Sequence, residues 1–173
     1  MSDIGANLER VRERIARAAE RSGRRGDDVL LIGVSKTVEV ERIQHAVAAG
    51  VPALGENRVQ EAKEKVAALG RPVPWHLIGH LQTNKVREAL ELDAIAKLDH
   101  IHVRGLMTIP PIAERAEDAR GWFRALAQLG KRVGLAELSM GMSADFEVAL
   151  EEGATMVRVG TAIFGPRPAK ATP

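Results

Sequence analysis

Lys36 ends an apolar run, VLLIGVSK (29 to 36), with Ser35 before it and Thr37 after it. A lysine at the end of a buried strand sheds part of its water, which lowers its pKa toward a nucleophilic amine. The same position also suits a solvated lysine opening the next helix, because Lys is rarely fully buried. Asn57, in GENRVQE (55 to 61), ends a second strand at equivalent depth, where it either lines a pocket or caps a turn. Two glycine turns say more. GMSADFEVAL (141 to 150) leads into Ser143 at the start of a helix, and GTAIFG (160 to 165) sets Gly160 and Thr161 after the last strand in the same manner. Free backbone N–H groups at a helix N-terminus, with a hydroxyl added, bind phosphate. Serine is also a common N-cap, so neither turn decides the matter alone. Arg158 lies inside the apolar strand TMVRVG (155 to 160), where a charge needs a partner or an outward direction. A functional alternative aims it at an electron-rich atom of a bound ring. Of the histidines His76, His80, His100 and His102, four of the five in the chain, only HIH at 100 to 102 shares a strand face, and no acidic third ligand stands near it. We therefore expect no metal site.

Positioning these groups together requires strands that end on one face. The N-terminal stretch keeps Ile4, Leu8, Val11, Ile15 and Ala19 at helical spacing, with Ser2 or Asp3 available as its cap. The run 29 to 36 lacks alternation, as in parallel strands buried on both faces. Helix and strand then alternate: ERIQHAVAAG, ALGEN (53 to 57), VQEAKEKVAALG, WHLIG (75 to 79), TNKVREALEL capped by Thr83 or Asn84, VRGLMTI (103 to 109), PPIAERAEDARGWFRALAQLG with a proline start, LAELSM (135 to 140), SADFEVALEEG and TMVRVG. DAIAKLDHIH (93 to 102) is ambiguous. The pattern predicts an α/β fold with about six parallel strands. No GxGxxG turn follows the first strand, which argues against a dinucleotide-binding sheet. In a (β/α) barrel the first strand neighbours the last, and the loops after the final strands often bind phosphate. Lys36, Ser143 and Thr161 would then surround a phosphorylated carbonyl compound beside an amine.

The composition narrows the classes. With 173 residues and 45% hydrophobic content, the chain is sized for one domain, 1 to 173. Basic residues exceed acidic ones by only two and are scattered, so no nucleic acid or anionic membrane partner is expected. Cysteine is absent, which excludes disulfides and thiolate chemistry and fits a reducing compartment. No apolar run reads as a signal peptide or membrane span, and we expect a cytoplasmic protein. The Pro-rich tail GPRPAKATP is expected to fray.

The segments VSKT, GENRVQEAKEK, WHLIGHLQTNK, VRGLMTIPP and LSMGMSADFEVALEEGATMVRVGTAIFG, together with the helix NLERVRERI, resemble the pyridoxal phosphate homeostasis protein family, single-domain relatives of the alanine racemase barrel. The resemblance covers nearly the whole chain in the family's order. It implies a non-catalytic carrier or regulator of pyridoxal 5′-phosphate (PLP) supply, with PLP-dependent apoenzymes as possible recipients. By matching motifs, Lys36 would hold PLP as a Schiff base and Asn57 would line the pocket. Ser143, Gly160 and Thr161 would hold the phosphate, and Arg158 would face the pyridine nitrogen. A cationic arginine there disfavours protonation of that nitrogen and weakens the cofactor as an electron sink, which suits storage.

The chain also departs from the family. Two βα units expected between the helix after QTNK and VRGLM are absent, with roughly 55 to 60 residues missing from a fold that needs at least ~200. Six strands cannot close with eight-strand geometry. WHLIG and VRGLMTI should become neighbours in a tighter closed barrel, giving a monomer, or present two open edges, giving an edge-to-edge dimer; closure is the favoured expectation. Two other functions stay in view. A PLP-dependent racemase or lyase would need a second base, a tyrosine from a further domain, and this chain has no Tyr. A minimised scaffold would fold but no longer bind PLP.

Overall fold

The computed structural model describes residues 3–79, 103–112 and 114–166. Helix α1 (Ile4–Arg21) starts where the Asp3 carboxylate accepts the Ala6 N–H at 3.1 Å, and it buries Ile4, Leu8, Val11, Ile15, Ala18 and Ala19. That stripe is the helical spacing read from the sequence. There follow β1 (Leu30–Val34), α2 (Val40–Ala48), β2 (Ala53–Glu56), α3 (Val59–Leu69) and β3 (Trp75–Leu77). Further along the chain come β4 (Gly105–Met107), α4 (Arg120–Val133), β5 (Glu137–Ser139), α5 (Phe146–Glu151), β6 (Met156–Val159) and the short α6 (Thr161–Phe164).

All recorded strand pairings are parallel, and the order is β3-β2-β1-β6-β5-β4. First and last strands are therefore neighbours at the centre, as a barrel requires. This is a shortened, curled β/α barrel sheet. Among the described residues β3 and β4 form its two edges and do not pair, so the favoured closure gives way to the open alternative. The reason is geometric: strand number, tilt and curvature are linked, so six strands with the geometry of a larger barrel do not bring their two edges together.

The core lies between the sheet and its helices, with Leu8, Val11, Ile43, Leu54, Phe123, Phe146, Leu150, Val157 and Ile163 essentially excluded from water. Helix α1 packs on α5 and α6. Arg14 joins α1 to α5, bonding both Glu147 oxygens at 2.9 and 2.8 Å while its guanidinium lies 4.5 Å from the Phe146 ring centroid.

Two helix starts differ from the sequence reading. The proline-led helix begins only at Arg120, because Pro110 and Pro111 hold their neighbours extended, and a 3-10 turn (Ala116–Ala119) intervenes. Helix α5 begins at Phe146, three residues beyond Ser143, which is left in a turn. The cap at Thr83 or Asn84, the stretch 93 to 102, His80, His100, His102 and the tail from 167 lie outside the described residues.

Candidate functional site

Strand alternation decides which side chains meet. Along β1, Ile32 and Val34 share a face, and continuing that parity places Lys36 on the same side and Ser35 on the other. Ile32 is in register with Arg158 on β6, so amine and guanidinium belong to one face of two adjacent strands. The Ser35 N–H still bonds Gly55 at 3.0 Å, extending the ladder, and the chain then turns, closed by the Val38 N–H to Ser35 C=O bond of 2.9 Å. Thr37, within that turn, has φ 61° and is the one non-glycine residue with positive φ among those described. For a β-branched residue this conformation costs about 1–3 kcal/mol, and strain of that size persists where surrounding contacts impose it.

The two glycine turns meet across β6. Ser143 Oγ accepts the N–H groups of Gly160 and Ala162, each at 3.3 Å. Its hydroxyl therefore sits where an anion's oxygen would meet those amides, instead of capping its own helix. Gly141 makes this approach possible: at φ 92°, an added Cβ would come within 2.8 Å of the Phe146 backbone. Arg158 is 3% exposed and is held by neutral oxygens, Ser139 O at 2.7 Å, Ser139 Oγ at 2.9 Å and Thr108 O at 2.9 Å. Burial pulls its guanidinium below the ordinary arginine value, and the nearby Asp145 carboxylate opposes that shift.

Lys36, Ser143, Arg158, Gly160 and Thr161 line one cavity of about 260 Å³, close to the lower end of the ~300–1,000 Å³ common for small-molecule sites. Ile78 and Ile109, just past the edge strands β3 and β4, add apolar walls. The structure thus brings together five of the six residues singled out in the sequence. Asn57 stands exposed at the end of β2, outside the cavity lining. His76 lies on the edge strand β3, also outside that lining.

Behind Lys36 the structure adds a cluster that the sequence reading missed. Lys65 Nζ on α3 donates to Ser35 O at 2.7 Å, Glu56 Oε1 at 2.8 Å and Glu61 Oε1 at 2.7 Å. Ser35 Oγ donates to the same Glu56 oxygen at 2.7 Å, and the Thr37 N–H donates to Glu61 Oε1 at 2.6 Å. Burial works to raise the Glu61 carboxyl, but the hydrogen bonds from Lys65 and Thr37 prevail and hold it below the usual carboxylate value. The available signal was Glu56 itself, an acid on the outward parity of an otherwise buried strand.

An amine, a hydroxyl-bearing amide turn and a buried guanidinium around one barrel-end cavity fit a small phosphorylated aldehyde. Residues 81–168 match the family model for the alanine racemase N-terminal domain, which is the class this fold and site define. The pyridoxal phosphate homeostasis protein of Aquifex aeolicus is 39% identical over 220 aligned positions, covering 92% of this chain and 96% of the relative. That of Pseudomonas aeruginosa is 35% identical, covering 96% and 97%. The chain belongs to the pyridoxal phosphate homeostasis protein family. An alignment of 220 positions exceeds the 173 residues present, so the relative carries positions that this chain lacks. Among solved structures, a protein of unknown function from Bifidobacterium adolescentis superimposes with TM-score 0.79 at 31% identity, covering 94% of each chain. PipY of Synechococcus elongatus, solved with PLP bound, gives 0.74 at 29% identity and covers 94% of this chain and 100% of its own.

Proposed function

We propose that this chain binds PLP in the Lys36 cavity and serves intracellular PLP homeostasis as a non-catalytic cytoplasmic carrier that supplies apoenzymes. The observation that carries this reading is the convergence of Lys36, Ser143, Arg158, Gly160 and Thr161, from three separate strand ends, on one cavity. PLP when bound supplies an aldehyde, which the Lys36 amine attacks to form a carbon–nitrogen double bond with loss of water. Ser143, whose Oγ accepts the Gly160 and Ala162 N–H groups and whose own O–H is left to donate, holds the phosphate together with Gly160 and Thr161. Arg158, already desolvated, presents positive charge toward the ring nitrogen and keeps it unprotonated, which favours holding over carbanion chemistry. Added PLP is expected to give the purified protein a visible absorption band without amino-acid turnover. No band would remove the binding role, and turnover would make the chain an enzyme.

The phosphate assignment makes its own prediction. Ser143→Ala or Thr161→Ala removes one charge-assisted hydrogen bond, worth roughly 1.5–3 kcal/mol, and should weaken PLP by that amount while sparing pyridoxal. Equal losses for both ligands would remove the phosphate role.

The open edges bear on assembly. N–H and C=O rows on β3 and β4 that have no strand partner among the described residues favour pairing with a second copy, edge to edge, in the parallel sense that both edges share. Sedimentation velocity should find a dimer, and a monomer at all concentrations would refute this.

A further inference from the structure

We infer that Glu61 and Lys65, with Glu56, form a clamp that aims Lys36 into the cavity, a positioning role that rests on the proposed binding at Lys36. The residues immediately before and after Lys36 are both tied to this cluster. Ser35 is held twice, by its carbonyl to Lys65 and by its hydroxyl to Glu56. Thr37 is held by its N–H to Glu61, at the residue whose positive φ turns the chain. All three oxygens meet the single Lys65 ammonium, which is 6% exposed, so the clamp has one hub.

Stability alone is a poor account of this arrangement. Burying ions costs solvation that their attraction only partly returns, and here Glu56 Oε2 is buried without a hydrogen-bond partner among the described residues. What the cluster does fix is the left-handed Thr37 turn, and with it the direction in which the backbone delivers Lys36. A reacting amine misplaced by about 1 Å loses rate steeply, so a device spent on the turn has its effect on capture of an aldehyde.

Glu61 allows the test because it is partly exposed and its loss leaves Lys65 paired with Glu56. Glu61→Ala is expected to slow capture of PLP on Lys36 by about 10-fold, while affinity for pyridoxine 5′-phosphate, which lacks the aldehyde, stays within about twofold. Glu61→Gln, whose amide oxygen can accept the Thr37 N–H, should recover most of the rate, and Glu64→Ala on the same helix should match wild type. Equal losses for PLP and the alcohol, or no loss of capture, would overturn the clamp. A readout without PLP separates this inference from the binding proposal: acetic anhydride labelling of the ligand-free chain, with exposed Lys63 as internal standard. There Glu61→Ala should acetylate Lys36 about threefold faster, as a side chain released from the cavity wall meets reagent more often. An unchanged Lys36 to Lys63 ratio would refute the clamp whether or not PLP binds.

Discussion

Replacing Lys36 with alanine is expected to abolish the visible band that PLP develops on the wild-type chain and to weaken PLP by roughly 100-fold, about 2.7 kcal/mol. The loss should be total for the covalent bond and partial for affinity, because the phosphate turn and Arg158 remain in place. No other described lysine can substitute. Lys63 and Lys131 are exposed away from the cavity, and Lys65 is committed to three oxygens behind the strand. Among the described residues Lys36 is the one lysine lining the cavity. Absorbance titration of Lys36→Ala, with pyridoxine 5′-phosphate as the control ligand, checks both parts. A variant that keeps the band would place the attachment elsewhere.

Lys65→Met is expected to be the most damaging single substitution for stability. It leaves Glu56, 1% exposed, as a buried carboxylate with only the Ser35 hydroxyl as partner among the described residues. Breaking a buried pair from one side typically costs about 3–5 kcal/mol, whereas replacing both partners by apolar groups is often neutral. For a chain of this size that is a fall in melting temperature of roughly 6–20 °C. Lys65→Met combined with Glu56→Leu should recover much of the loss, and the double-mutant cycle measures the coupling directly. Thermal melts showing additive, small effects would mean that the pair is more hydrated than its burial indicates.

The sequence made the strands and the cavity readable for a shared reason. Apolar runs such as Leu30–Val34 and Met156–Val159 are buried on both faces, so their ends and the polar residues just past them stand out. Lys36, Gly160 and Thr161 follow such ends directly. Arg158 was visible as a charge inside a strand, but its holders, Ser139 and Thr108, come from two other strand ends and depend on tertiary packing. Ser143 was legible as a hydroxyl beside a glycine turn, yet its bond runs to Gly160 and Ala162, 17 and 19 residues away, which no local capping rule predicts. The clamp was hidden more thoroughly. Glu61 and Lys65 stand one helical turn apart, a spacing common to surface ion pairs, and only the docking of α3 on β2, beside the end of β1, buries Lys65. Closure failed as an expectation because strand pairing at the edges depends on curvature, which periodicity does not encode.

The most direct test of the account is to mix the intact protein with PLP, reduce with borohydride, digest, and locate the added mass by peptide mass spectrometry. The account predicts one pyridoxyl phosphate group per chain on the peptide containing Lys36, lost when excess pyridoxine 5′-phosphate occupies the cavity first. A group spread over several lysines, or placed on another residue with Lys36 unmodified, would contradict it.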